Sequence, residues 1–279
     1  MPSISRLCLV VLLLPLSASA HFPWIAAETL APAPGEALAL QIAFGDRPDD
    51  FRALVTDRLQ PLQLHTAGGD VVDARPEGND ALRLHDVGSA GVALVGGRQQ
   101  RSFWTRTPEG GKRASRAELS DATHCSHSNN AFKALLAVGE GAAGEASKVL
   151  GHPLELVLQA DPHGLAPGEP LPLRVLFEGE ALHGATVEAW PLTGEAKATE
   201  AVSTSGGELE LTLGAGTWLL HTAHATPYAD PAVCDENSHH APWCCAAIET
   251  RVGLSQRHLG AVAIRVEWPS EAAYTQRYG

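Results

Sequence analysis

Histidine has the most chemistry to offer in this chain. Thirteen His are spread over 279 residues, against one Met and 5% aromatics. His21 stands out by position. It follows Ala18-Ser19-Ala20, so cleavage after Ala20 makes it the first residue of the mature protein. An amino-terminal His offers two donors, its free amine and ring Nδ1, which close a small chelate ring on one metal ion. One more imidazole completes a T-shaped set of three nitrogens. Planar nitrogen sites of this kind suit Cu(II) and Ni(II). The segment His21-Phe22-Pro23-Trp24 cannot form the other common amino-terminal copper or nickel site. That site needs His in third place and a deprotonated amide there, and Pro23 has no N–H.

Further imidazoles could join. His124 and His127 are spaced His-x-x-His, as are His221 and His224, and His239-His240 are adjacent. Residues three apart share a face on a helix or turn but lie on opposite faces of a strand. His124-Cys125-Ser126-His127 is expected in a loop, where both rings could converge. His221 and His224 are expected at a strand end, so only one would face a given site. Asp230 and Asp235 are minor oxygen donors. His65, His85, His152, His163, His183 and His258 are isolated and are expected to be structural or exposed.

Stepping outward, residues 1–20 read as a secretory signal. Arg6 precedes an apolar run from Leu7 to Leu16, followed by the small-x-small cleavage site. The run is too short to span a bilayer, and no later stretch approaches about 18 apolar residues. No membrane span is expected after cleavage. Loss of Arg6 takes the bases from 20 to 19 against 32 acids, and the charge from -12 to -13. So acidic a chain lacks the basic footprint of nucleic-acid binding. Cys8 leaves with the signal, and Cys125, Cys234, Cys244 and Cys245 stay. An even count in an oxidising compartment favours two disulfides over thiolate ligands. A bridge between the neighbours Cys244 and Cys245 would be strained, so Cys125 is expected to join one of them and Cys234 the other.

The elements that must position these groups are short strands. Leu38, Leu40, Ile42 and Phe44 alternate up to Gly45-Asp46. Leu82 with Leu84, and Val92 with Leu94 before Gly96-Gly97, suggest two more. Residues 106–123 are polar and read as a loop. Residues 128–139 do not decide between extended and helical. Alternation resumes at Leu154–Leu158, Leu171–Phe177, Val187–Ala189, Leu209–Leu213 and Val262–Trp268. Trp218, Leu220, Thr222 and His224 would share one strand face. The expected fold is all-β, with two sandwich-like domains. They are a β-rich domain over 21–123 and a sandwich over 151–279, joined by a connector over 124–150. A Cys/His-rich insertion at 225–246 interrupts the second, and such long insertions are often functional.

The middle of the chain resembles a secreted bacterial family of unknown function linked with nickel and cobalt uptake, the NikK-like periplasmic proteins. The similarity runs through Phe132, Gly151-His152-Pro153-Leu154-Glu155-Leu156, Asp161-Pro162 and Gly168-Glu169-Pro170-Leu171. It continues through Leu173–Gly179, Gly184-Ala185-Thr186-Val187 and Gly216-Thr217-Trp218-Leu219-Leu220, with His224 six residues beyond Trp218. Many members begin their mature chain at His, as His21 would here. The resemblance implies an immunoglobulin-like or prealbumin-like carboxy-terminal domain, periplasmic localisation and handling of Ni(II) or Co(II). It also makes His224 the expected partner of His21. The insertion carrying Cys234, Cys244 and Cys245 departs from the family pattern and leaves Cu(II) open. The absence of a carboxy-terminal membrane helix departs too, and favours a free carrier.

The expected function is capture of Ni(II), Co(II) or Cu(II) through His21 for delivery to a membrane metal-uptake transporter, rather than catalysis. Two alternatives stand beside it. One is a copper-dependent secreted oxygenase using an amino-terminal histidine brace. The other is a metal-free adhesion or carbohydrate-binding module. No Ser-His-Asp, paired-carboxylate or His-Glu-x-x-His constellation is evident.

Overall fold

The computed structural model describes residues 21–115, 118–119, 121–139, 145–193, 197–224 and 258–268. The first half contributes β1 (Phe22–Ala27), β2 (Leu38–Arg47), β3 (Asp50–Ala53), β4 (Gln63–His65), β5 (Val71–Asp73), β6 (Arg75–Glu77) and β7 (Ala81–Leu84). Next come β8 (Gly91–Arg98), β9 (Ser102–Thr107), β10 (Gly110–Lys112), β11 (His124–Ser128) and β12 (Ala131–Val138). The second half adds β13 (Leu154–Leu158), β14 (Pro170–Phe177), β15 (Glu180–Ala181) and β16 (Thr186–Pro191). It ends with β17 (Thr199–Val202), β18 (Glu208–Thr212), β19 (Gly216–His224) and β20 (His258–Trp268). The all-β expectation holds: the described residues contain strands and short 3-10 turns, and no α-helix.

A central sheet runs through both halves in the order β17-β16-β19-β20-β12-β8-β4-β5. β20 makes the join. It pairs antiparallel with β19 on one edge, and in parallel with β11 and then β12 on the other. A sheet of β1-β2-β7-β6, with β3 on β2, covers one face of the first half. A sheet of β13, β14, β15 and β18 covers the opposite face. Around residue 150 the chain passes from the central strand β12 to the covering strand β13, and the central ladder is continuous across that point through β20.

Where central strands are covered on both sides, as β8 and β12 are, they do not alternate apolar with polar. On β8, Val92 and Leu94 enter the core under β13 and β14, while Ala93 and Val95 enter the core under β1 and β2. On β12, Leu135 faces the first core, and Phe132, Ala134, Leu136 and Val138 face the second. Every residue of β12 is buried. A strand buried on both faces reads as a continuous apolar run, which composition alone does not tell from a helix. The stretch expected as a connector is therefore a central strand.

Three other expectations change. Gly96-Gly97 does not end β8 but lies inside it. A Cβ at Gly96 would come 2.5 Å from Leu150 Cδ1, and one at Gly97 would come 2.8 Å from Leu62 Cδ1, so a side chain at either would displace these leucine ends. Part of the polar 106–123 stretch is the β9–β10 hairpin rather than loop. β2 runs past Gly45-Asp46 to Arg47 through a register shift against β3.

β1 wedges between layers. Phe22 and Trp24 pack with Leu219, Trp190 and Leu192 from the second half of the chain. Ile25 packs on the other side with Leu40 and Ile42. The strand that begins one residue after His21 is thus held by both halves.

Candidate metal centre

Phe22, Trp24 and Ile25 are buried, at 1%, 2% and 0% exposure. Their burial clamps β1, while the side chain of His21, just before it, is 47% exposed. An exposed imidazole at the end of an immobilised strand is accessible and pre-positioned. The ladder pairs Phe22 with Gly45, so the next step outward sets His21 beside Asp46.

Asp46 reaches it through a bulge. Gly45 pairs with Phe51 and Arg47 with Asp50, which leaves Asp46 as the extra residue of β2. A bulge re-aims the side chain it carries. Asp46 Oδ1 lies 3.0 Å from His21 Nδ1. That oxygen is shut off from solvent and accepts no aligned hydrogen bond. The His21 ring also packs on Phe44, with centroids 5.5 Å apart, and the Arg52 guanidinium lies 6.0 Å from the Phe44 ring centroid. Asp46 entered the sequence expectations only as part of a strand-ending Gly-Asp pair. What would have found it is its place across the ladder from the residue preceding β1.

β19 separates its two histidines as a strand must. His221 stacks on Phe22 at 3.9 Å between ring centroids and lies 11° from parallel with Trp190. Its Nδ1 lies 3.2 Å from Glu188 Oε2, and this hydrogen bond holds the Glu188 carboxyl below its ordinary value. His224 is on the other face, 4.6 Å from the Phe177 ring, and burial pushes its imidazole below the ordinary value. Of the two, His221 is the one in contact with the amino-terminal strand, through its stack on Phe22. His124 and His127 lie on strand β11 instead of the expected loop, so the spacing argument for a shared face lapses there. His239, His240, Cys234, Cys244 and Cys245 lie outside the described residues, as do Asp230 and Asp235. The expected pairing of Cys125 with that segment therefore lies outside them too. Among the described residues no three His, Cys, Asp or Glu side chains converge as a metal cluster. A site at His21 must therefore draw on backbone donors as well as side chains.

A second polar group is buried in the interior. Lys133 on β12 donates to Glu155 on β13 at 2.8 Å, both 1% exposed. Glu155 also accepts backbone N–H bonds from Leu150, Gly151 and His152. Burial works to raise the Glu155 carboxyl, but Lys133 and the backbone donors bring it below its ordinary value. Burial pushes the Lys133 ammonium down and, with Lys133 and Arg98 nearby, lowers His152 to about 4. The carboxylate ties the loop before β13 to the central sheet, a structural task.

Against known proteins, no curated protein matches the chain by sequence. Solved structures give weak likenesses. A tetra-tandem repeat from the extending region of a large adhesion protein matches at 9% identity and TM-score 0.20, over 89% of this chain and 74% of that one. Trypsin-activated alpha-2-macroglobulin from Escherichia coli matches at 11% identity and TM-score 0.20, over 90% of this chain and 16% of that one. Fibronectin(III)-like modules of Clostridium thermocellum CbhA match at 7% identity and TM-score 0.19, over 88% of this chain and 94% of that one. At these scores they carry no argument about function. One family model matches residues 18–226, three quarters of the sequence, and on that match the chain belongs to the domain-of-unknown-function family DUF4198.

Proposed function

We propose that this is a periplasmic protein that captures a transition-metal ion, Ni(II) or Co(II) and alternatively Cu(II), and passes it to a membrane uptake system. The accessible end of β1 supports this most directly. Its strand is buried and held from both sides, while the His21 ring projects 47% exposed beside a carboxylate. Once the signal segment is removed, the α-amine and Nδ1 of His21 form a bidentate donor pair on a fixed support. A metal ion here is cargo, so binding must be selective and reversible. Nitrogen donors with few thiolates suit these borderline ions.

The test is calorimetry on protein processed to begin at His21. Ni(II), Co(II) and Cu(II) are titrated separately into wild type and His21→Ala. At least one of these ions should bind, and His21→Ala should weaken it by at least about tenfold. Unchanged affinity would remove His21 from the site. A version retaining an initiator Met serves as the second arm, because it keeps the imidazole and loses the amine. It should bind as weakly as His21→Ala.

A further inference from the structure

We infer that Asp46 is the third donor of this site, so that the His21 metal centre is a two-nitrogen, one-oxygen site rather than a three-nitrogen brace. The inference rests on the metal-binding function proposed above. Three observations support it.

The first is spacing. Two ligands about 2.0–2.1 Å from one ion, at right angles to each other, are about 2.9 Å apart. His21 Nδ1 and Asp46 Oδ1 are 3.0 Å apart, so neither side chain need move to share an ion. The second is the state of the oxygen. Asp46 Oδ1 is shut off from solvent and accepts no aligned hydrogen bond, while the Asp46 side chain as a whole is 30% exposed and has His21 Nδ1 3.0 Å away. A cation shared with His21 gives that oxygen a partner. The third is placement. Asp46 is the extra residue of a bulge in β2, which turns it toward the end of β1 without displacing the ladder.

Among the described side chains, the two β19 imidazoles have partners elsewhere. His221 is engaged by its stack on Phe22 and its contact with Glu188, and His224 faces Phe177 on the other side of β19. The charge logic agrees with the donor count. A carboxylate lowers the net charge of a bound divalent ion to +1, and a hard oxygen beside two nitrogens suits Ni(II) and Co(II) better than Cu(I). The chelate uses Nδ1 and the amine, which leaves Nε2 free of the ion on a side chain that is 47% exposed. An ion held this way has open positions toward solvent, where an acceptor protein's ligands can take it over.

The experiment uses Cu(II) alone as a spectroscopic probe on the full processed chain. Electron paramagnetic resonance and competition binding are recorded for wild type, Asp46→Asn, Asp46→Glu and His21→Ala. Melting of each metal-free protein checks that it is folded. Wild type should give a two-nitrogen, one-oxygen spectrum. Asp46→Asn should change that spectrum and weaken binding by at least about tenfold. Asp46→Glu, which retains a carboxylate, should recover part of the affinity. If Asp46→Asn leaves spectrum and affinity unchanged while His21→Ala alters both, Asp46 is not a ligand and the proposed function stands. If His21→Ala also changes nothing, the proposed function falls as well.

Discussion

Lys133 on β12 and Glu155 on β13 form an ion pair of 2.8 Å between two side chains that are each 1% exposed. The pair crosses from the central sheet to a covering sheet. Removing one partner leaves the other charge buried and uncompensated, which costs about 3–5 kcal/mol. Lys133→Met alone should lower unfolding stability by that order in urea titrations. The double change Lys133→Met with Glu155→Leu should recover part of the loss. Full recovery is not expected, because the N–H groups of Leu150, Gly151 and His152 lose their acceptor.

Acid should loosen the same region. His152 is 8% exposed and its imidazole is lowered to about 4. In the unfolded chain it titrates near 6.5, so between those values the unfolded state binds a proton that the native state does not. Stability from this group is therefore full above about pH 6.5 and falls as pH drops toward 4, by a total of ~3 kcal/mol. Burial lowers His65 and His224 as well, which adds in the same direction. Thermal melts from pH 7 to pH 4 should show the decline, and His152→Phe should make it shallower. A slope identical to wild type would remove His152 as its source.

The two histidines of β19 give a contrasting pair. His221→Ala loses the stack on Phe22 and the bond to Glu188, and should destabilise by about 1–2 kcal/mol in chemical denaturation. Neither His221→Ala nor His224→Ala should weaken metal binding as much as Asp46→Asn does. A loss at His224→Ala as large as that at His21→Ala would restore the imidazole partner implied by the family resemblance.

Cargo should stabilise the fold in proportion to its affinity. A ligand at 100 times its Kd adds about 2.7 kcal/mol to the native state. Adding Ni(II) or Co(II) should therefore raise the melting temperature of the processed protein, and the shift should shrink when residues precede His21. An equal shift in both forms would assign the effect to another metal site.

Strand β19 was legible because one face, Trp218 to His224, is set by simple alternation. So was β14, from Leu171 to Phe177. β12 was not, because Phe132 and Leu135 face different cores and its alternation is erased. Lys133 within that run is one half of a buried pair. At the site, His21 could be read from its place after Ala20. Asp46 could not, because its importance comes from a bulge and from the register of β1 on β2, which no local pattern encodes. The family resemblance to a sequence of unknown function was recovered over residues 18–226, without a link to any particular metal.

The shared central sheet decides how this protein can be divided. β20 is hydrogen-bonded to β19 on one edge and to β12 on the other, and β12 precedes residue 150. A fragment cut at that point would carry β20 with a raw edge of unpaired N–H and C=O groups, and the complementary fragment would carry the matching edge on β12. Such edges recruit other strands. The two pieces should aggregate when made apart and recombine when made together, and the intact chain should melt as one cooperative unit.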